Sequence, residues 1–550
     1  MILIIMNKNK KIHRIFRQAC LLSVSALIAT GCTGKFDDWN TNPHEATGEQ
    51  MGMDNLLTGA YFVQMQKNNF VVEQLPAIGA ETYQIIQNLT GDSFSGYTGA
   101  TEIWFGNSNF LTYNMFVDWR NVAFRIAFVN VMPAWKAIVE KADELQQPHV
   151  AALATVVKVA AMHRITDMYG PLPYINFGNG EIQNPYDGQK EIYAKFFEEL
   201  DNAIKELSDF HDKDNAATIL ANYDFIYNGN VKQWIKFANT LKLRLAIRIR
   251  YTDYNVNGKT PQLLAEEAVT HPIGVMTTIQ DVARLIHSED MSYRHPLYVI
   301  SEGEFDDAHM GATMDSYLNG YKDPRRSVYF KIAPTGKYTG VRTGITMDVA
   351  KYSGKEAPFS KLNFSANSDL VWMNPAEAYF LRAEGALLGW NMNGTPKELY
   401  EQGIRTSFDF TGANGADAYL QQDDVATVPA AYVDPQNSSN SMSALGKITV
   451  KWKDGVDKEV NLEQIITQKW IAIFPDGQEA WSEFRRTGYP KVFPVAIDNS
   501  NGTIDKNLQV RRIPFPLTEY RDNAANMPQA KVLLGGGDDN GGTRLWWDKK

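Results

Sequence analysis

In "EIYAKFFEELDNAIKELSDF" (191–210) the apolar residues fall at Ile192, Tyr193, Phe196, Phe197, Leu200, Ile204 and Leu207. Steps of three and four place all of them on one face of an α-helix. Such a face has to be laid against another element, and the chain supplies partners of the same kind. "VAALATVVKVAAMHRITDMYG" (150–170) is rich in Ala for close helix contact and stops at Gly170-Pro171. "NVKQWIKFANTLKLRLAIRIR" (230–250) reads as a third helix and "NPAEAYFLRAEGALLGW" (374–390) as a fourth. Asn374 and Thr395 are N-cap residues, each followed by a Pro whose missing N–H costs nothing in the first turn. "KELYEQGIRTSFDF" (397–410) follows the second cap. "LEQIITQKWIAIFPDGQEAWSEFRRTGY" (462–489) gives two more helical pieces, split by Pro475.

The helices fall into pairs: 150–168 with 190–210, 230–250 with 261–271, and 375–390 with 397–410. The expected fold is therefore mainly α, built from tetratricopeptide-like helical pairs without a regular repeat. Length alone suggests two to four domains. The pattern instead predicts one domain over 51–550, with long loop insertions around 72–120, 272–370 and 411–460. These stretches are rich in Gly, Asn, Ser, Asp and aromatic residues. Loops of that length usually carry function. A few short strands are expected, with a hairpin of 447–453 and 456–460 turning at Asp454-Gly455.

The N-terminus has its own grammar. Lys8, Lys10, Lys11, Arg14 and Arg17 precede a short apolar stretch, Leu21–Ile28, and then Ala29-Thr30-Gly31 before Cys32. Basic, apolar and small segments in that order are a secretory signal. The small residues before a cysteine make residues 1–31 a bacterial lipoprotein signal, with Cys32 acylated after cleavage. Cys20 lies in the removed segment, so the mature chain keeps no disulfide. Residues 32–50 form a polar tether. The apolar stretch is shorter than the ~20 residues of a membrane-spanning helix, and no later segment is expected to span. Loss of the leader leaves 49 basic against 63 acidic residues, a net charge of −14. A chain that acidic is a poor partner for nucleic acid or anionic lipid.

No phosphate loop, dinucleotide fingerprint, HExxH or nucleophile elbow is present. His163 sits on the Ala-rich helix and is expected to be a packed core residue. "GGGDDNGG" (535–542) offers oxygen ligands that suit calcium, but not in EF-hand order, and is read as a flexible loop. A glycosidase pair of carboxylates leaves no trace in spacing. Aromatic residues are more telling. Phe, Trp and Tyr make up 12% of the chain, and many lie in the long loops. "GYTGATEIWFGNSNF" (96–110) mixes rings with Asn, Thr and Gly, and "SYRHPLYV" (292–299) adds two tyrosines. Rings in a polar loop suit sugar binding, because pyranose C–H faces stack on them while amides take the hydroxyls.

Several segments resemble the SusD/RagB outer-membrane lipoproteins of Bacteroidota. They are "CTGKFDDWNTNPHEAT" at the mature start, "DMYGPLPY" (167–174), "WIKFANTLKLRLAIRI" (234–249), "NPAEAYFLRAEGA" (374–386), "QKWIAIFPDGQEAWSEFRRTGYP" (468–490), "RRIPFPLTEYRDNAAN" (511–526) and "TRLWWD" (543–548). Within them, Arg244, Arg248, Arg485 and Arg486 are expected to be buried donors to carboxylates and carbonyls, with Glu377 and Glu384 as partners. The resemblance implies a lipid-anchored, cell-surface protein of the outer membrane that binds an oligosaccharide. It further implies a hinged lid on a SusC-type TonB-dependent barrel, and no enzyme activity. Peptide capture on the same scaffold, a helical glycosidase and a purely structural subunit are the alternatives. The family's ligand residues vary, so the expected site rests on loop placement alone: Tyr97, Trp104, Asn107, Tyr293 and Tyr298, with Trp119 and Tyr317 behind them. No metal or cofactor is expected beyond the weak calcium signal.

Overall fold

The structure, a computed structural model, describes residues 55–73, 80–115, 117–181 and 183–550. The leader, Cys32 and the tether to residue 50 lie outside the described residues. By contacts the chain divides into two units, Met1–Leu57 and Thr58–Lys550. The second unit contains the longer helices, the first of which begins just before it. They are α1 (Leu56–Asn69), α2 (Met132–Glu144), α3 (Pro148–Tyr169), α4 (Gln189–Lys213), α5 (Val231–Arg248), α6 (Pro261–Thr270), α7 (Pro375–Leu387), α8 (Pro396–Thr411), α9 (Lys458–Ala472) and α10 (Gly477–Thr487).

The sequence pairs form as expected: α3 packs on α4, α5 on α6 and α7 on α8. α2 packs on α3, α4 on α5, and α5 and α9 each pack on α7, so the pairs join into one scaffold. Local chemistry sets the ends. Asn374 Oδ1 accepts from the Ala376 N–H at 2.9 Å. Thr395 and Glu398 form a reciprocal capping box, and α8 ends on Gly412 at φ 67°, a left-handed value that favours Gly. Every apolar residue of the α4 stripe, Ile192 to Leu207, is buried.

The charged hallmark residues hold the helices together from inside. Arg244 on α5 donates to both Glu377 oxygens on α7, at 2.8 and 2.5 Å. Arg248 bonds Glu479 and reaches Glu483 at 2.7 Å. Lys469 on α9 meets Glu479 at 2.9 Å. Arg485 donates to the carbonyls of Asp167 and Arg511, at 2.6 and 2.8 Å. All of these groups are buried. Burial works to raise the Glu483 carboxyl, but Arg486, Lys469 and Arg248 outweigh it and hold it down to about 2. His163 is buried, with Nδ1 3.1 Å from the Val159 carbonyl. Burial, with Arg244 and Arg164 nearby, pushes its pKa well below the usual imidazole value.

The long insertions carry the short strands and are tied to one another by them. β1 (Thr98–Ala100) pairs antiparallel with β3 (Ala308–Met310), joining the first insertion to the second in the register Thr98↔Met310 and Ala100↔Ala308. β2 (Ala283–Leu285) pairs antiparallel with β4 (Leu370–Met373). The expected hairpin at 447–460 does not form. Gln464 Nε2 takes the carbonyls of Thr449 and Lys451, at 3.1 and 2.6 Å, and Asp457 caps α9 by accepting from Glu459 N at 2.8 Å. A side chain and a helix start thus use the groups a ladder would need.

The expectation that no segment after the leader is long and apolar enough to span needs one correction. The continuous helical run Asp118–Glu144 is long and apolar enough, by length and composition, to cross a membrane. Asp118, Arg120, Arg125 and Pro133 interrupt that run in the sequence. In the fold its inner side, with Phe124, Ala127, Val131, Ala134 and Ile138, is buried, and its α2 portion packs on α3. It lays one face on the helical scaffold and leaves the other outside the core.

Candidate functional site

Of the expected site residues, three belong to the core. Tyr97 is 0% exposed, Tyr293 0% and Tyr317 1%. The Tyr97 hydroxyl bonds the Trp470 carbonyl, and its ring packs 5.3 Å from Trp470 and 5.2 Å from Phe474. The Tyr293 hydroxyl donates to the Leu285 carbonyl at 2.8 Å and accepts from Leu370 N at 3.1 Å. It thereby ties the end of β2 to β4. The Tyr317 hydroxyl accepts from Lys491 N at 3.0 Å, and its ring lies 5.3 Å from Trp470. Placement in polar loops is a false guide to these three, since the loops fold inward and each hydroxyl finds a backbone partner.

Trp104, Asn107 and Trp119 do come together. Trp119 is the hub: Trp104 lies 6.0 Å away, Phe105 5.4 Å and Phe110 5.6 Å, all edge-to-face. Leu89, Ala100 and Leu111 form the apolar floor under the two tryptophans. Phe105 is 62% exposed, a large apolar ring held over Trp119 and presented to solvent.

The backbone explains that presentation. Phe105, Gly106 and Asn107 have φ of 53°, 61° and 64°, successive left-handed residues of which only Gly is unstrained. The turn persists because its surroundings hold it. The Asn107 carbonyl accepts from Thr112 Oγ1 at 2.8 Å and from Asn499 Nδ2 at 2.9 Å. Asn107 Nδ2 donates to the Ile345 carbonyl at 3.2 Å, and Asn109 Nδ2 donates to the Trp104 carbonyl at 2.9 Å. Asn107 is therefore a clamp for the turn as well as an amide beside the rings. Phe105 is missing from the site expected on loop placement. Its signal in the sequence is the Gly106-Asn107 pair, which marks a turn that carries the preceding ring outward.

Tyr298 is half-buried on the short helix Pro296–Ser301, with the Arg294 guanidinium 5.4 Å from its ring. Among the described residues no ring contact joins it to the Trp119 group. The 535–542 loop is pinned at Asp539, which accepts from Arg512 Nη1 at 2.5 Å, Phe515 N at 2.9 Å and the Tyr520 hydroxyl at 2.6 Å. That carboxylate is already neutralised by the chain's own cation. Among the described residues no cluster of His, Cys, Asp or Glu has the arrangement of a metal site.

The family described as SusD and RagB outer membrane lipoproteins matches residues 38–548. The chain belongs to the SusD-like family. Solved SusD-like structures agree over nearly the whole fold. A chitin-binding SusD homologue from Flavobacterium johnsoniae is 39% identical, with a TM-score of 0.83, covering 90% of this chain and 99% of its own. A SusD homologue from Bacteroides uniformis is 36% identical, with a TM-score of 0.81 and coverage of 90% and 99%. One from Bacteroides thetaiotaomicron is 34% identical, with a TM-score of 0.80 and the same coverage. No curated protein matches the chain. Four of the segments that suggest the SusD-like family, 234–249, 374–386, 468–490 and 511–526, carry buried arginines, and the mainly helical, paired architecture is the family's fold.

Proposed function

We propose that this SusD-like protein is a lipid-anchored capture protein of the cell surface that binds an oligosaccharide without cleaving it. The observation that carries the reading is Phe105, exposed and held over Trp119 by a clamped left-handed turn. A rigid aromatic platform needs little ordering on binding, which favours stacking on sugar C–H faces. Trp104 and Trp119 extend the platform, and Tyr298 is a separate contact on another segment. The chitin-binding relative makes β-linked N-acetylglucosamine oligomers the first ligand to examine. The acylated residue is Cys32, in keeping with the family's description as outer membrane lipoproteins. The receiving partner is a SusC-type TonB-dependent barrel, over which the protein acts as a lid.

Calorimetric titration of the purified chain with chito-oligosaccharides tests the reading, with product analysis of the same mixture. Saturable binding with unshortened sugar is expected. Shortened products make it a hydrolase. No binding to chito-oligosaccharides or to a wider glycan panel removes the capture role.

A further inference from the structure

A pocket of about 440 Å³, lined by none of the rings of the Trp119 platform, opens between the end of α10 and the segments 488–494 and 506–511. Its lining includes Arg485, Lys491, Lys506, Arg511 and Lys550. No aspartate or glutamate among the described residues lines it. That is an unusual concentration of one sign on a chain whose formal net charge is −9.

The cations differ in how they are balanced. Arg511 is paired to Asp548 and Lys550 to Glu459. The half-buried Glu463 carboxyl also lies near Lys491 and Lys550. Arg485, Lys491 and Lys506 make no ion pair among the described residues. Lys491 and Lys506 are exposed, and the Lys491 ammonium sits 4.5 Å from the centre of the Tyr489 ring instead of on a carboxylate. Arg485 is 1% exposed, and its guanidinium is satisfied by the carbonyls of Asp167 and Arg511 and by Ser482 Oγ at 2.9 Å. Burial, with Arg511 and Arg248 nearby, pulls it down to about 9 against the more distant carboxylates of Asp167 and Asp548. A desolvated cation bonded only to neutral groups gains from an anion brought near it.

We infer that this pocket is a binding site for an oxyanion on a sugar-sized ligand, with Lys491 and Lys506 as the contacting cations and Arg485 as a fixed charge in the wall. A concave wall lined by one sign of charge focuses the field and raises the local concentration of an anion. The volume is in the range of small-ligand pockets and accepts one or two sugar rings. A carboxylate of a sugar acid and an inorganic sulfate share the chemistry that the lysines recognise. The site is independent of the proposed neutral-glycan platform.

The test titrates the full chain with sodium glucuronate, sodium sulfate and glucose, followed by NMR or calorimetry, in wild type and in the double variant Lys491→Ala/Lys506→Ala. Both lysines are exposed, so the variant is expected to fold. Saturable glucuronate binding, at least ten-fold weaker in the variant and absent for glucose, is the expected result. Equal competition by sulfate assigns recognition to the oxyanion alone, and no competition adds the sugar ring; either outcome supports the site. No saturable binding of either anion, or binding unchanged in the variant, overturns it. Chito-oligosaccharide affinity is read in the same variant. Its retention separates failure here from failure of the platform.

Discussion

The Arg486 guanidinium meets the Glu384 carboxylate through two parallel bonds, Nη1–Oε1 at 2.5 Å and Nη2–Oε2 at 2.7 Å, across 102 positions of sequence. Both residues are buried, and Arg486 also grips Glu483 at 3.0 and 2.6 Å. The pair ties α7 to α10. Arg486→Met leaves Glu384 with Arg250 alone and Glu483 with Arg248 and Lys469, so the cost is expected at the lower end of the about 3–5 kcal/mol typical of breaking a buried pair. The expected outcome is a large fall in melting temperature by calorimetry. A change of less than a degree would show that the pair contributes nothing.

The aromatic platform and the core tyrosines separate by mutation. Phe105→Ala and Trp119→Ala are each expected to weaken oligosaccharide binding by about 1–3 kcal/mol, by analogy with ring stacking on bases. Tyr97→Phe and Tyr317→Phe remove only buried hydroxyls and are expected to leave affinity unchanged. Each costs about 1 kcal/mol of stability through its lost hydrogen bond. Calorimetric titration and thermal melts of the four variants check both halves.

Asp307 predicts a pH dependence. Burial, aided by Glu102 and Asp306, pushes its carboxyl up to about 7, against two bonds from Gln84. An unfolded Asp titrates near about 3.9. Between those values the folded chain keeps a proton that the unfolded chain has lost. Stability from this group therefore falls as pH rises through the window, by up to about 1.4 kcal/mol per pH unit. Asp307→Asn carries no such proton. Its melting temperature should fall less than that of wild type between pH 5 and pH 8, and parallel curves would refute the assignment.

Cys32→Ala tests the anchor. The variant is expected to fold as wild type does and to leave the membrane fraction, partitioning into the aqueous phase of a detergent separation. Equal partitioning of the two proteins would retire acylation at Cys32.

Particular residues show what local pattern reveals. The α4 stripe, the Asn374 and Thr395 caps and the Gly412 stop act through neighbours within a few positions, so their roles are visible in spacing. The buried arginines are recognisable because guanidiniums on apolar helix faces require acids or carbonyls as partners, and Glu377 and Glu384 lie on a helix of matching pattern. The platform is half legible: Trp104, Phe105, Asn107 and Trp119 are visible in the sequence as rings and an amide in a polar loop, but that Phe105 is the exposed one follows only from the backbone of its turn. Tyr97, Tyr293 and Tyr317 mislead because ring type and loop composition do not say which way a loop folds. The 447–460 hairpin fails because Gln464, on the following helix, takes the carbonyls of Thr449 and Lys451.

The sequence by itself determined the helices, their ends, their pairing and the need for a charged interior, since each depends on periodicity or on bonds between near neighbours. Tertiary structure decided which aromatic rings meet solvent and which cations share a pocket. Those outcomes depend on contacts between segments hundreds of residues apart. The Asn499 amide holds the carbonyl of Asn107, and β1 finds β3 across the chain. Such pairings are fixed by the packing of the whole core, which no local pattern encodes.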